Sequence, residues 1–227
     1  MGQFAELLRV TNDDIWNSLV TNPFVAAMAD GSLPPDNFRF YIEQNIQYLP
    51  HYARTLGLGA ARATTEAELR RFTRSLNQIV NVEIDANRRL RDRIIELGAT
   101  DHGGAEGMAP ACQGYTSYLI ATAATGSAID IMAAMLPCAW SYHVIAAQYP
   151  HPTAHPVYTE WITFFAGDEY AAYLHNLIDE LDAVVGEVSD VDLARLRRHF
   201  RTGARFEHLF WHMGFTMERW PDQMAGT

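Results

Sequence analysis

The 227-residue chain has a formal net charge of −10, is 48% hydrophobic and 11% aromatic, and contains two cysteines. This length and composition suit one packed core, so a single domain over residues 1–227 is expected. The negative charge argues against a nucleic-acid partner, and because all 17 basic residues are Arg, lysine chemistry such as a Schiff base is excluded.

Cys112 and Cys138 make no disulfide framework, which suits a reducing compartment. Met1–Val10 has no basic segment leading into an apolar one. The most apolar stretch, Ile131–Ala147, is interrupted by Pro137, Ser141 and His143, so no membrane span is expected. These features predict a soluble, cytoplasmic protein.

In chain order, Asp30-Gly31-Ser32-Leu33-Pro34-Pro35-Asp36 reads as a turn that opens a helix. That helix sets Phe38, Ile42, Asn45 and Leu49 on one stripe, with Tyr41 and Tyr48 beside it. A polar helix follows over about Thr65–Leu97, and its run Asn87-Arg88-Arg89-Leu90-Arg91-Asp92-Arg93 reads as a solvated face. Gly98–Ala109 reads as a loop. Helical spacing resumes near Tyr115, and Gly126 divides that helix from the one carrying Cys138. After a turn at His151–Pro156, helices start near Val157, Asp168 and Asp190, the last running to about Trp220. Without alternating β-branched runs or hairpin signals, the pattern is that of an all-α bundle enclosing a pocket.

Several residues in this frame could carry chemistry. Cys138, in Leu136-Pro137-Cys138-Ala139-Trp140-Ser141-Tyr142, is either a buried small hydrophobe or a nucleophile with Tyr142 one turn away on the same face. Glu207 stands among Phe206, Phe210 and Trp211, where desolvation would raise its pKa into the range of a general acid or base. The alternative is a carboxylate at the bundle edge. His208 and His212 have a spacing that can hold a metal, but no third ligand accompanies them. Asn45, Tyr48 and Tyr115 are polar groups on apolar faces, to be satisfied by neighbours or by a ligand. Glycine-rich phosphate loops, zinc-cysteine patterns and a Gly-x-Ser-x-Gly elbow do not occur.

Taken together in order, several segments resemble the TenA family, the thiaminase II proteins. They are Asn22-Pro23-Phe24 with Asp30-Gly31-Ser32-Leu33-Pro34, Phe38-Arg39-Phe40-Tyr41 through Tyr48-Leu49, and Tyr115-Thr116-Ser117. The match continues with Leu136–Tyr142, His155-Pro156-Val157-Tyr158, Trp161, Gly167-Asp168 and Glu207-His208-Leu209-Phe210-Trp211. The resemblance implies a haem-oxygenase-like all-α fold with a central pocket, a homotetramer, and no metal or other cofactor. The implied reaction is hydrolysis of 4-amino-5-aminomethyl-2-methylpyrimidine or thiamine to the hydroxymethylpyrimidine, in thiamine salvage. By resemblance, Cys138 adds to the pyrimidine ring, Glu207 shuttles protons, Tyr115 and Tyr142 position the thiol, and Tyr48 and Phe210 wall the ring.

Two positions depart from the family pattern. Asn45 stands where typical members place an Asp that grips the ring, and Phe165 where they place a Tyr near the cysteine. Asn can accept from the ring's amino group and donate to its nitrogen, but it brings no charge. A shifted substrate (another aminopyrimidine or small heterocycle) or a non-catalytic ligand binder is the alternative these departures raise.

Overall fold

The computed structural model describes residues 3–100, 107–149, 155–185 and 188–223. Among them the chain is helical, with no strand. The elements are α1 (Gln3–Val10), α2 (Asp13–Val20), α3 (Pro23–Asp30), α4 (Pro35–Ala61), α5 (Glu66–Gln78), a π turn (Ile79–Glu83) and α6 (Ile84–Glu96). They continue with α7 (Pro110–Thr125), α8 (Ala128–Ala147), α9 (Pro156–Ala166), α10 (Asp168–Val185), α11 (Asp190–Thr216) and a short 3₁₀ turn (Pro221–Gln223).

Local chemistry sets many of these boundaries. Asn22 caps α3 by accepting from the Val25 N–H, with Pro23 in the first turn, and Gly31 ends the helix at φ 81°. Thr65 and Glu68 form a reciprocal capping box at the start of α5. Pro35, Pro110 and Pro156 each open a helix at a position whose N–H needs no partner. Ser189 caps α11 by accepting from the Asp192 N–H.

Two long layers organise the bundle. On one side α4 packs on α5, α6 and α7; on the other α8 packs on α9, α10 and, most extensively, α11. The α8–α11 crossing is close because residue 203 is glycine. A Cβ there would collide with the Ala134 carbonyl oxygen and lie 3.1 Å from Pro137 Cγ. A polar clamp secures the same crossing, since Arg195 Nε donates to Asp130 Oδ1 at 2.7 Å. On α11 the His199 Nδ1 lies 2.9 Å from the Tyr118 hydroxyl of α7. Among the described residues α8 is the one helix long and apolar enough to cross a membrane, and 72% of that window is buried within the fold.

The stripe Phe38, Ile42, Asn45 and Leu49 is buried on α4. Three expectations are corrected. The polar segment 65–97 is two helices joined by the π turn, not one helix. Its second half is not simply a solvated face, because Glu83, Asn87, Leu90 and Ile94 are buried. The last helix ends at Thr216, where Met217 turns left-handed, before Trp220. The expected turn at His151–Pro156 and the loop at Gly98–Ala109 lie partly outside the described residues.

Candidate active site

Between the two layers lies a narrow cavity lined by Asn45, Tyr48 and Tyr52 of α4, Glu83 of the π turn, Cys138 and Tyr142 of α8, Phe165 of α9, and Tyr170 and Tyr173 of α10 among others. A neighbouring, more apolar cavity shares Tyr52 and Tyr173 but contains neither Cys138 nor Glu83.

The α8–α11 crossing assembles the first pair. Gly203 sits on Ala134; one turn further along each helix, Glu207 and Cys138 meet. Glu207 is 1% exposed, which settles against the bundle edge. Burial pushes its carboxyl up to about 7, while Tyr115 and Cys138, lying against it, act in the opposite direction.

Burial also raises the Cys138 thiol well above its ordinary range, reinforced by the nearby Glu207 and Glu83 carboxyls. The thiol is therefore protonated at neutral pH and needs a base to react. Glu207, titrating near neutrality, is the adjacent group able to take that proton. Cys112 is fully buried, with its thiol pushed up to about 12 and directed at the Gln44 carbonyl oxygen 3.6 Å away.

Aromatic rings fix the rest. Tyr48 packs on Tyr115 (5.1 Å between centroids) and edge-on against Phe210 (5.5 Å). Tyr142 packs against Phe165 at 4.9 Å and Trp211 at 5.0 Å, and its hydroxyl accepts from the Tyr41 hydroxyl at 3.1 Å. The hydroxyls of Tyr48 and Tyr115 are buried without a well-formed hydrogen bond among the described residues. Two buried hydroxyls beside a thiol and a carboxyl suit a site that tightens its hydrogen bonding around a ligand.

All eight residues singled out in the sequence come together. Asn45, Tyr48, Cys138, Tyr142 and Phe165 line the cavity. Tyr115, Glu207 and Phe210 stand behind Tyr48 and Cys138. One expectation is revised: Asn45 Nδ2 already donates to Asn87 Oδ1 at 2.8 Å, and Asn87 Nδ2 donates to the Glu83 carbonyl at 2.8 Å. Part of the Asn45 amide is thus committed to α6, and its orientation is fixed from behind. His208 lies instead on the surface of α11, its Nδ1 3.2 Å from the Ser18 hydroxyl.

Sequence reasoning missed Glu83, Tyr52, Tyr170 and Tyr173. The signal for Glu83 is the buried stripe Ile79, Glu83, Asn87, Leu90 and Ile94, in which two polar residues occupy core positions at helical spacing.

Residues 11–217 match the TENA/THI-4/PQQC family. The chain belongs to this family. It is 34% identical over 222 residues to an aminopyrimidine aminohydrolase of Halalkalibacterium halodurans, covering 96% of this chain and 97% of that one. Among solved structures it resembles a TenA homologue from P. horikoshii OT3, with TM-score 0.82 and 28% identity over 94% of this chain and 98% of that one. A Shewanella denitrificans domain of unknown function with a heme oxygenase-like fold superposes with TM-score 0.71 at 15% identity, over 98% of this chain and 95% of that one. The family's all-α, haem-oxygenase-like architecture is the one described above.

Proposed function

We propose that the chain is an aminopyrimidine aminohydrolase of the thiaminase II type, working in thiamine salvage. The observation that carries this reading is the meeting of the Cys138 thiol with the Glu207 carboxyl beside a cavity walled by aromatic rings. Glu207 takes the thiol proton as sulfur bonds to a ring carbon of the substrate and passes it to the adjacent ring nitrogen, which returns it by the same route when the sulfur leaves. Electron density then expels the substituent on the methylene carbon, which leaves as ammonia after accepting a proton. Water adds to that carbon, the sulfur–carbon bond breaks, and the thiol regains its proton. The sum is one water consumed and one ammonia released.

In this scheme Tyr48 and Phe210 wall the ring, Asn45 receives its amino edge, and Tyr115 and Tyr142 hold the acid and the thiol in place. Phe165 closes the Tyr142 side with a ring but no hydroxyl. The single contiguous core running from α1 to α11 supports one domain over residues 1–227. Exposed apolar side chains such as Leu58, Val80, Val82, Ile95 and Leu97 support assembly into the homotetramer inferred from the family resemblance, and two free cysteines suit a cytoplasmic setting.

The test is an assay of the purified protein with 4-amino-5-aminomethyl-2-methylpyrimidine and with thiamine, following the hydroxymethylpyrimidine product. Turnover of either substrate by the wild type, lost in Cys138→Ser, is expected. Absence of product from both would refute the reading.

A further inference from the structure

Glu83 plays no part in the chemistry just described, yet it is only 9% exposed and lines the cavity together with Cys138. Its carboxyl makes no hydrogen bond or ion pair among the described residues, and none of the cavity's lining residues is basic. The groups around it are the phenols of Tyr52 from α4 and of Tyr170 and Tyr173 from α10, with the Cys138 thiol of α8. A buried carboxylate with no partner is costly unless its counter-charge arrives from outside.

Its placement is built into the backbone. The π turn Ile79–Glu83 interrupts the run between α5 and α6, an irregularity frequent at functional sites. The Glu83 carbonyl anchors Asn87, and Asn87 in turn holds Asn45. The same turn therefore sets both polar groups on this wall, one neutral and one ionisable.

We propose that Glu83, which lines the cavity with Tyr52, Tyr170 and Tyr173, is a substrate-binding carboxylate that makes the cavity select an aromatic ring carrying a cationic substituent. The aromatic faces add cation–π attraction to the ion pair. The burial that holds the free carboxyl up at about 7 supports this role, since a bound cation would favour its ionised form. Applied to the hydrolysis, which rests on the reading above, the proposal gives a reason for product release. The aminomethyl substrate enters as a cation, and the hydroxymethyl product is neutral and loses the ion pair.

The experiment measures dissociation constants from protection of Cys138 against alkylation, in wild type and Glu83→Gln. Two pairs of probes are used: the aminomethyl- and hydroxymethyl-pyrimidines, and benzylamine with benzyl alcohol. Wild type is expected to favour the cationic member of a pair by tenfold or more, and Glu83→Gln to reduce that preference at least fivefold. Neutral-probe affinity should stay within about twofold, and the thermal midpoint should be equal or higher because the variant no longer buries an unpaired acid. If wild type binds neither pyrimidine, the pyrimidine reading falls while the benzylamine pair still decides the role of Glu83. A wild type without charge preference, or an equal preference in both proteins, would overturn the proposal.

Discussion

On one wall of the cavity, α8 and α11 approach so closely at Gly203 that two continuous helices deliver Cys138 and Glu207 to each other. On the opposite wall, regular geometry is broken: the π turn sets Glu83, and the chain from the Glu83 carbonyl through Asn87 sets Asn45. The first wall carries the proposed nucleophile and its proposed base side by side. The second carries a carboxyl with no hydrogen-bond partner among the described residues and an amide aimed by its neighbours. The proposed bond-making groups therefore rest on tight helix packing, and the proposed recognition groups rest on a helix irregularity.

The sharpest way to separate the walls is to remove the base. Glu207→Gln is expected to lower kcat by a hundredfold or more, and to abolish the limb of the kcat–pH profile near 7, since a general base typically contributes this much. An unchanged limb would assign the proton transfer elsewhere.

The two carboxyls are also linked to stability. Both are raised from 4.5 to about 7 in the folded chain, so each favours folding below pH 4.5 relative to neutral pH. The folded state binds more protons than the unfolded one across that window, so stability falls as pH rises from about 4.5 to about 7, by on the order of 3 kcal/mol per carboxyl. Chemical denaturation at several pH values should show this decline, reduced by Glu83→Gln and by Glu207→Gln separately. A flat profile in wild type would contradict the burial of these groups as charged species.

Gly203→Ala tests the first wall alone. Its methyl must push α11 away from the Ala134 carbonyl and Pro137, so a loss of about 1–3 kcal/mol in stability is expected, together with a fall in turnover as Glu207 moves from Cys138. A stability loss with kcat intact would mean that the crossing does not set the pair.

The smallest effect is expected at Asn45. From the sequence alone, Asn45→Asp is expected to raise activity by restoring an acid to the ring-binding position. The structure reverses that sign. An ionised carboxylate at this position would face the Asn87 Oδ1 that now accepts from Asn45, close to a second acid at Glu83. Turnover several-fold below wild type is the expected outcome, measured as kcat/KM.

The difference between the walls also explains what could be read from the sequence. The helices of the first wall are long and rich in buried apolar residues, and the motif around Cys138 and the aromatic setting of Glu207 are each contiguous, so the fold and the candidate pair are both legible. The π turn inserts its effect between two helices whose exposed faces are densely charged, and the run Arg88-Arg89-Leu90-Arg91 masks the buried Glu83 and Asn87 a turn away. Tyr52, Tyr170 and Tyr173 read as ordinary core aromatics because nothing in their own segments marks a cavity. Which polar atom meets which, as in Asn45 with Asn87, depends on long-range placement that periodicity does not encode.

The most direct test of the Cys138–Glu207 pair is the rate of hydroxymethylpyrimidine formation from the aminomethylpyrimidine by wild type, Cys138→Ser, Glu207→Gln and the double variant. A thiol and a base that act as one unit predict strongly non-additive losses: Cys138→Ser should fall at least a thousandfold, and the double variant little further. Additive losses, or a Cys138→Ser protein that retains wild-type turnover, would contradict the account.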